Sequence, residues 1–147
     1  MKYQRITDIN DSDIPYLSSI LKSPEISRYI SIDESNYWDY VTTTDNVFYF
    51  KVYNDKDLVA ATHLEISNNI LYMDIMVVPK YQNQGIASSI LKDILSGILP
   101  PEFDYVEVSI DESNIASIRL FERFGFTRVS QEDELINYVY KVKQATV

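Results

Sequence analysis

At 147 residues, the chain is long enough for a single domain, over residues 1–147, that buries about two thirds of the surface its unfolded form exposes. It has no cysteine, which excludes disulfides, a thiol nucleophile and a thiolate zinc site. Its formal charge of -9 argues against a nucleic-acid-binding surface, which needs clustered Lys and Arg. The negative charge is consistent with a cationic partner. It is equally consistent with an acidic surface that only keeps the protein soluble.

Neither a transmembrane segment nor a signal peptide is predicted. No run approaches the roughly 18 apolar residues of a membrane span, and charged residues interrupt the apolar ones near Met1. We therefore expect a soluble, cytoplasmic protein without membrane contacts, as a monomer or homodimer.

The first predicted elements lie before residue 45. A short strand over residues 3–7 precedes a helix that starts at the segment 11–15, and apolar residues follow at positions 14, 17, 20 and 21, at helical spacing. Ser23-Pro24 ends this helix, because the residue before a proline disfavours the helical conformation. A second helix is predicted over residues 34–43.

Three strands are predicted next, over residues 47–53, 58–66 and 70–78. The polar segments 54–57 and 67–69 between them are typical of hairpin turns, so the three strands should form an antiparallel meander. Pro79 ends the third strand, because proline cannot donate to a strand ladder.

The second half of the chain alternates helices and strands. One helix would carry six apolar residues on one face: Ile86, Ile90, Leu91, Ile94, Leu95 and Ile98. Pro100-Pro101 ends it, and a strand over 105–110, a helix over 115–124 and strands over 126–130 and 135–142 follow, with a polar turn at 131–134. This order predicts an α+β fold, with a mixed, mostly antiparallel twisted sheet of about six or seven strands flanked by about four helices.

The segment 77–91 joins an apolar strand to an amphipathic helix through a short loop that contains Gly85 and Ala87. The free N–H groups and the positive dipole end of a helix attract an anion such as a pyrophosphate, and small residues let the backbone approach it. The loop has neither the lysine of a nucleoside-triphosphate loop nor the glycine pattern of a dinucleotide fingerprint.

Two motifs resemble those of a known family. The run 82–87, Gln-Asn-Gln-Gly-Ile-Ala, resembles the Gln/Arg-x-x-Gly-x-Gly/Ala signature of the GCN5-related N-acetyltransferases, the GNAT superfamily. About thirty residues later, the run 108–126 resembles the same family's strand, its Asn-x-x-Ala-x-x-Leu-Tyr/Phe motif and its Gly-Phe pair. The two motifs cover roughly the C-terminal half of the chain.

The resemblance implies a GNAT fold that binds acetyl-coenzyme A. The loop around Gly85 would hold the pyrophosphate, and a bulged strand that splays from its neighbour would pair its backbone with the pantetheine arm. An N–H near Val77 would stabilise the oxyanion that forms at the thioester carbonyl. The cofactor-binding residues implied are Ile75, Met76, Val77, Gln82, Asn83, Gln84, Gly85, Ile86, Ala87, Ser88, Asn114 and Phe121. No metal is expected.

Asn114 and Phe121 each have two interpretations. The family's asparagine contacts the cofactor arm, but Asn114 is also a favoured helix N-cap, and both roles can hold together. Phe121 stands where many family members have a tyrosine that protonates the leaving thiolate, and it has no hydroxyl, although its ring could pack against the pantetheine. Ser117, Tyr138, Tyr140 or water could supply the proton instead.

The acceptor amine must lose a proton to a general base. Asp74 and Glu65 are the best-placed candidates, although acidic residues on a half-exposed strand are more often solvated surface groups. His63 is the chain's one histidine, which argues against a Ser-His-Asp triad or a paired-histidine metal site. Its position on a strand favours a packing or surface role.

We therefore interpret the chain as an acetyltransferase that moves the acetyl group of acetyl-coenzyme A directly to a primary amine of a small molecule or a protein. Two alternatives stay open: a non-catalytic acyl-coenzyme-A-binding regulatory domain of the same fold, and an unrelated α+β binding module. The acceptor, possibly cationic, could be a polyamine, an aminoglycoside, an amino acid or a protein amine.

Overall fold

The computed structural model of the chain describes residues 1–33 and 35–142. Alternating and helical apolar patterns set the elements, which follow one another in this order: β1 (Lys2–Arg5), α1 (Ile14–Lys22), α2 (Pro24–Ser27), α3 (Tyr37–Thr43), β2 (Val47–Asn54), β3 (Asp57–Ser67), β4 (Ile70–Val77), a 3₁₀ turn (Pro79–Tyr81), α4 (Ile86–Leu95), β5 (Tyr105–Asp111), α5 (Ile115–Arg123), β6 (Thr127–Glu132) and β7 (Leu135–Lys141).

All seven strands belong to one sheet, in the order β1-β2-β3-β4-β5-β7-β6. Neighbouring strands are antiparallel except for β4 and β5, which are parallel. This confirms the predicted mixed, mostly antiparallel sheet. The parallel pair is short: Ile70–Tyr72 pairs with Tyr105–Glu107, and beyond these residues the two strands are not paired.

Apolar cores cover both faces of the sheet. The core on one face contains the buried residues of α4 together with Phe121 of α5. The core on the other face contains the buried residues of α1, α2 and α3. Because side chains alternate along a strand, Leu71 of β4 belongs to the first core and Met76 to the second.

The predicted elements match the structure with a few differences. Helix α2 was not predicted, and it follows α1 directly because Pro24 starts a new helical turn. Helix α3 begins at Tyr37 rather than at residue 34, and Glu34 lies outside the described residues. Ile98 is 61% exposed, contrary to the prediction, because Gly97 with φ of 76° ends α4 before it.

No helix within residues 1–33 and 35–142 is both long enough and apolar enough to span a membrane.

A buried lysine anchors the start of α1 to the sheet. Lys51 is 3% exposed, and its ammonium lies 3.0 Å from a carboxylate oxygen of Asp11 and 2.8 Å from one of Asp13. Tyr53 also donates to Asp13, at 2.7 Å. Burial would lower the pKa of Lys51, but the hydrogen bonds with Asp13 and Asp11 outweigh it and hold that pKa above its ordinary value.

We predict that Lys51→Met lowers the free energy of unfolding by about 2 kcal/mol, because it removes the cation to which both carboxylates are bonded. Urea unfolding of the purified protein measures this change. Lys56→Met, at an exposed position in the turn between β2 and β3, is the control and should change stability by about 0.5 kcal/mol or less. Equal losses in the two variants would contradict the anchoring role.

Candidate active site

Strand β4, the loop before α4 and the start of α5, which carry most of the predicted cofactor residues, border the opening between β4 and β5, where the two strands are no longer paired. The carboxyl end of β4 leads through the loop 78–85 to α4, and the carboxyl end of β5 leads to α5. Because the strands are parallel, both helices begin beside the opening. A ligand there would meet the partial positive charge of two helix N-termini and, at α4, the N–H groups of the first turn, which have no partner within the helix.

The loop before α4 contains two residues with positive φ, Asn83 and Gly85. Gly85 is the N-cap of α4 with φ of 79°, a left-handed conformation that favours glycine. No heavy atom lies within 4 Å of the place where a Cβ would stand on Gly85, so this side of the loop is open. Asn83 has φ of 64°, and asparagine is among the residues that tolerate it best.

Two of the predicted loop side chains bond back to the protein. Gln82 donates from Nε2 to the carbonyl oxygen of Val77 at 3.2 Å, which ties the loop to the end of β4. Gln84 donates to the carbonyl oxygen of Lys80 at 3.5 Å. Gln82 and Gln84 therefore shape the loop, whereas the N–H groups of Ile86, Ala87 and Ser88 belong to the first turn of α4.

The main chain of β4 faces the opening at alternate residues. The N–H of Val78 donates to the carbonyl oxygen of Val59 of β3 at 2.9 Å, and the side-chain hydroxyl of Thr62 of β3 donates to the carbonyl oxygen of Asp74 at 2.7 Å. Because successive residues direct these groups to opposite edges of a strand, the main-chain groups of Ile75 and Val77 face the opening.

The structure corrects two predictions about β4. Met76 cannot contact a ligand in the opening, because its main chain faces β3 and its side chain is 1% exposed in the core. A bulge was also expected in β4, but its register with β3 is continuous from Ile70 to Val77. The register shifts within the described strands lie in β2 and β6 instead.

Asn114 and Ser117 lie at the start of α5. The Asn114 side chain accepts a hydrogen bond from the N–H of Ser117 at 3.3 Å, so Asn114 is the N-cap of this helix. Near the other end of α5, Arg123 donates to the hydroxyl of Ser88 at 2.9 Å. This places a guanidinium beside the first turn of α4, a cation that the sequence motifs did not indicate.

Phe121 and Tyr138 belong to the core beside α5. Phe121 is 6% exposed, and its ring packs edge-on against Phe126 with centroids 4.9 Å apart. A contact between Phe121 and a cofactor therefore stays a prediction. The hydroxyl of Tyr138 donates to Glu122 at 3.1 Å, and burial together with that bond raises the pKa of Tyr138, which opposes proton donation.

A groove of about 630 Å³ lies on the face of the sheet that carries α1, α2 and α3. The strands β4, β5, β6 and β7 and the loop after α2 form it. Its polar lining includes Tyr29, Tyr72, Asp74, Glu107, Glu132 and Asn137. A smaller cavity of about 440 Å³ lies between the end of α5 and the strands β6 and β7, and the candidate proton donor Tyr140 is among its lining residues.

Asp74, the candidate base, lines this groove, as does the candidate proton donor Tyr138. Among the described residues, no side chain donates a hydrogen bond to its carboxylate. Burial raises the pKa of the Asp74 carboxyl above its ordinary value, and the charge of His63 and a main-chain hydrogen bond from His63 partly offset this rise. A carboxylate with a raised pKa and no side-chain donor is suited to receive a proton.

Glu65 lies on the same face of the sheet but is already engaged. It accepts a hydrogen bond from Tyr40 at 2.5 Å, and one of its oxygens lies 3.2 Å from Nε2 of His63. The bond to Glu65, with burial, raises the pKa of Tyr40 to about 12. His63 pairs with Asp74 across β3 and β4, so the structure brings Asp74, Glu65 and His63 together.

Sequence reasoning missed Glu107, Tyr29 and Arg123. Glu107 reaches the groove because β5 lies next to β4 in the sheet, and no local pattern reports strand order. Tyr29 belongs to the loop after α2, whose place above the sheet depends on tertiary packing. Alternation of polar and apolar residues along 105–110 was the one available signal for Glu107.

Comparisons with known proteins agree with this architecture. The family model described as "Acetyltransferase (GNAT) family" matches residues 14–126, and a comparison with curated proteins found no significant match.

Several solved structures share the fold. The ribosomal-protein-S18-alanine N-acetyltransferase from Escherichia coli has a TM-score of 0.74 at 16% identity, covering 99% of this chain and 97% of that chain. The Campylobacter jejuni N-acetyltransferase PseH, in complex with acetyl coenzyme A, has a TM-score of 0.74 at 15% identity, covering 97% and 99%.

A spermidine N-acetyltransferase SpeG chimera from Vibrio cholerae and hSSAT has a TM-score of 0.76 at 17% identity, covering 96% of each chain. At identities this low, the structural likeness shows a shared fold. The family match covers most of the chain and confirms the resemblance carried by the two motifs. The chain therefore belongs to the acetyltransferase (GNAT) family.

Proposed function

We propose that this protein transfers the acetyl group of acetyl-coenzyme A directly to a primary amine, without a covalent enzyme intermediate. The observation that carries this proposal is the opening between β4 and β5. The anion-binding helix N-termini lie beside it, and the acidic groove on the other side of the sheet includes Asp74 of β4 itself. A cofactor in the opening and an amine in the groove would thus be separated by β4 alone.

The residues around the opening fit the cofactor. The N–H groups of Ile86, Ala87 and Ser88 at the start of α4 would bind the pyrophosphate, and the main chain of Ile75 and Val77 would bond to the pantetheine amides. Arg123 adds a positive charge beside Ser88. Bound there, acetyl-coenzyme A supplies an activated acetyl group, and the Val77 N–H would donate to the carbonyl oxygen as that oxygen gains negative charge.

The groove fits an amine that arrives as a cation. Its lining includes three carboxylates, Asp74, Glu107 and Glu132, and the described lining residues include no Lys or Arg. The chain as a whole carries a formal charge of -9. A protonated amine is therefore attracted over a distance and bound at short range.

Asp74 is the better candidate for the general base. Its carboxylate accepts no side-chain hydrogen bond within the described part of the chain, whereas Glu65 already accepts one from Tyr40. For the leaving thiolate, Ser117 in the first turn of α5 stays the proposed proton donor, or water takes its place. Phe121 has no hydroxyl, and this keeps a non-catalytic acyl-coenzyme-A-binding domain as the alternative function.

We predict that coenzyme A, at a hundred times its dissociation constant, raises the free energy of unfolding by about 2.7 kcal/mol. Gly85→Glu should abolish this gain, because it places bulk and negative charge beside the pyrophosphate. Gly97→Glu is the matched control: Gly97 has φ of 76° and open space at its Cβ position, as Gly85 does, but it lies at the other end of α4.

Both glycine variants should lose about 1–3 kcal/mol of stability through backbone strain alone. Thermal unfolding with and without coenzyme A separates this loss from the binding effect. Normal stabilisation of Gly85→Glu by coenzyme A would show that the loop does not hold the cofactor.

We predict amine-dependent release of coenzyme A thiol from acetyl-coenzyme A in an assay across polyamines, aminoglycosides, amino acids and peptides. With a polycation such as spermidine, kcat/KM should fall with added salt more steeply than with a monoamine, because screening weakens the attraction to the groove. Coenzyme A binding without thiol release from any amine would favour the non-catalytic alternative.

We predict that Asp74→Asn lowers kcat/KM for the best amine by about 100-fold or more, since this is the usual contribution of a general base. Glu65→Gln should lower it less than about tenfold. Coenzyme A affinity, measured by calorimetry, should stay unchanged in both variants. A larger loss in Glu65→Gln than in Asp74→Asn would transfer the role of base to Glu65.

A further inference from the structure

A chain of hydrogen bonds joins α3 to β3 beside Asp74. The hydroxyl oxygen of Tyr37 lies 2.7 Å from Nδ1 of His63, and Nε2 of His63 lies 3.2 Å from Glu65. The ionised Glu65 can only accept, so Nε2 carries a proton, and in the neutral ring Tyr37 donates to Nδ1. Burial, with the charge of Asp74 next, raises the pKa of Tyr37, so its hydroxyl keeps its proton.

This arrangement lets the His63 ring change its charge without losing a hydrogen bond. When Nδ1 gains a proton, the Tyr37 hydroxyl turns from donor to acceptor, because a hydroxyl can do either. The Nε2–H continues to donate to Glu65, which then becomes an ion-pair partner. The ring is also held by Tyr49, edge-on with centroids 6.2 Å apart, and by Tyr40, stacked at 6.4 Å.

His63 differs in chemistry from every other titratable group around Asp74. The titratable groups that face this pair from α3, the loop after α2 and strands β2 to β7 are Tyr37, Tyr40, Tyr29, Tyr49, Glu65, Tyr72, Glu107, Glu132 and Tyr138. All of them are acids, and none becomes positively charged. Within the described residues of this cluster, a positive charge to offset Asp74 can therefore come only from the imidazole.

Building on the proposed function, we infer that His63 is a positioning residue whose protonated ring holds Asp74 in the ionised form that accepts the proton of the substrate ammonium. In that step an N–H bond of the ammonium breaks and an O–H bond forms on Asp74. The nitrogen regains the electron pair with which it attacks the acetyl group. Tyr37 and Glu65 keep the ring in one place while its charge changes.

The first test needs no substrate. His63 is the one histidine of the chain, so its ring signals in an NMR titration of this chain are unambiguous. Because the coupling between two charges is reciprocal, Asp74→Asn should lower the pH midpoint of the ring titration by about 1 unit. Glu107→Gln removes a carboxylate of the same groove on β5 and should shift the midpoint much less. Equal shifts in the two variants would overturn the inference.

The second test uses turnover. His63→Gln should move the acid limb of the kcat/KM profile about 1 unit to higher pH, because Asp74 without a positive neighbour holds its proton more tightly. Above that limb, activity should return close to the wild-type value, whereas loss of a purely structural contact would lower activity at every pH. An unmoved acid limb would overturn the inference. Failure of every amine to react would contradict the proposed function, and the ring titration would still decide the role of His63.

Discussion

The parting of β4 from β5 is the constraint on which the rest of the site depends. Three residue pairs join these strands, and the next main-chain groups of β4 face an opening instead of a neighbouring strand. Backbone N–H and C=O groups require hydrogen-bond partners, so Ile75 and Val77 present a row of groups suited to an extended ligand with amides. The divergence therefore leaves unpaired main-chain groups in the middle of the sheet as well as at its borders.

The two faces of the sheet carry opposite electrostatic character near this opening. One side has the N-termini of α4 and α5 and the guanidinium of Arg123, all of which attract anions. On the other side, the carboxylates of Asp74 and Glu107 attract cations. In the proposed function, a phosphate-bearing donor and a protonated acceptor would therefore bind on different sides of β4, and neither would compete for the other's site.

The sequence predicted local features of the site well and non-local features poorly. The loop at Gly85 and the N-cap at Asn114 depend on a few neighbouring residues, and both were located. The strand pattern was enough to place Glu65 and Asp74 on the neighbouring strands β3 and β4. Met76 was misassigned because the direction of its main-chain groups depends on pairing with β3, and Glu107 was missed because its position beside Asp74 depends on strand order. His63 was predicted to pack or to lie at the surface. Its hydrogen bond with Tyr37 was missed because that bond requires α3 to dock above β3.

The two outer strands of the sheet determine how the protein behaves toward other copies of itself. A long, flat, unpaired strand edge is a template for aggregation. Here β1 has four residues, two of them basic, and the register of β6 shifts between Arg128 and Ser130. The shift leaves Val129 unpaired and 58% exposed and interrupts the row of hydrogen-bonding groups. Neither outer strand therefore offers a regular edge on which another chain could add a strand. The sheet can thus contain the opening between β4 and β5 while its two outer edges stay unsuited to aggregation.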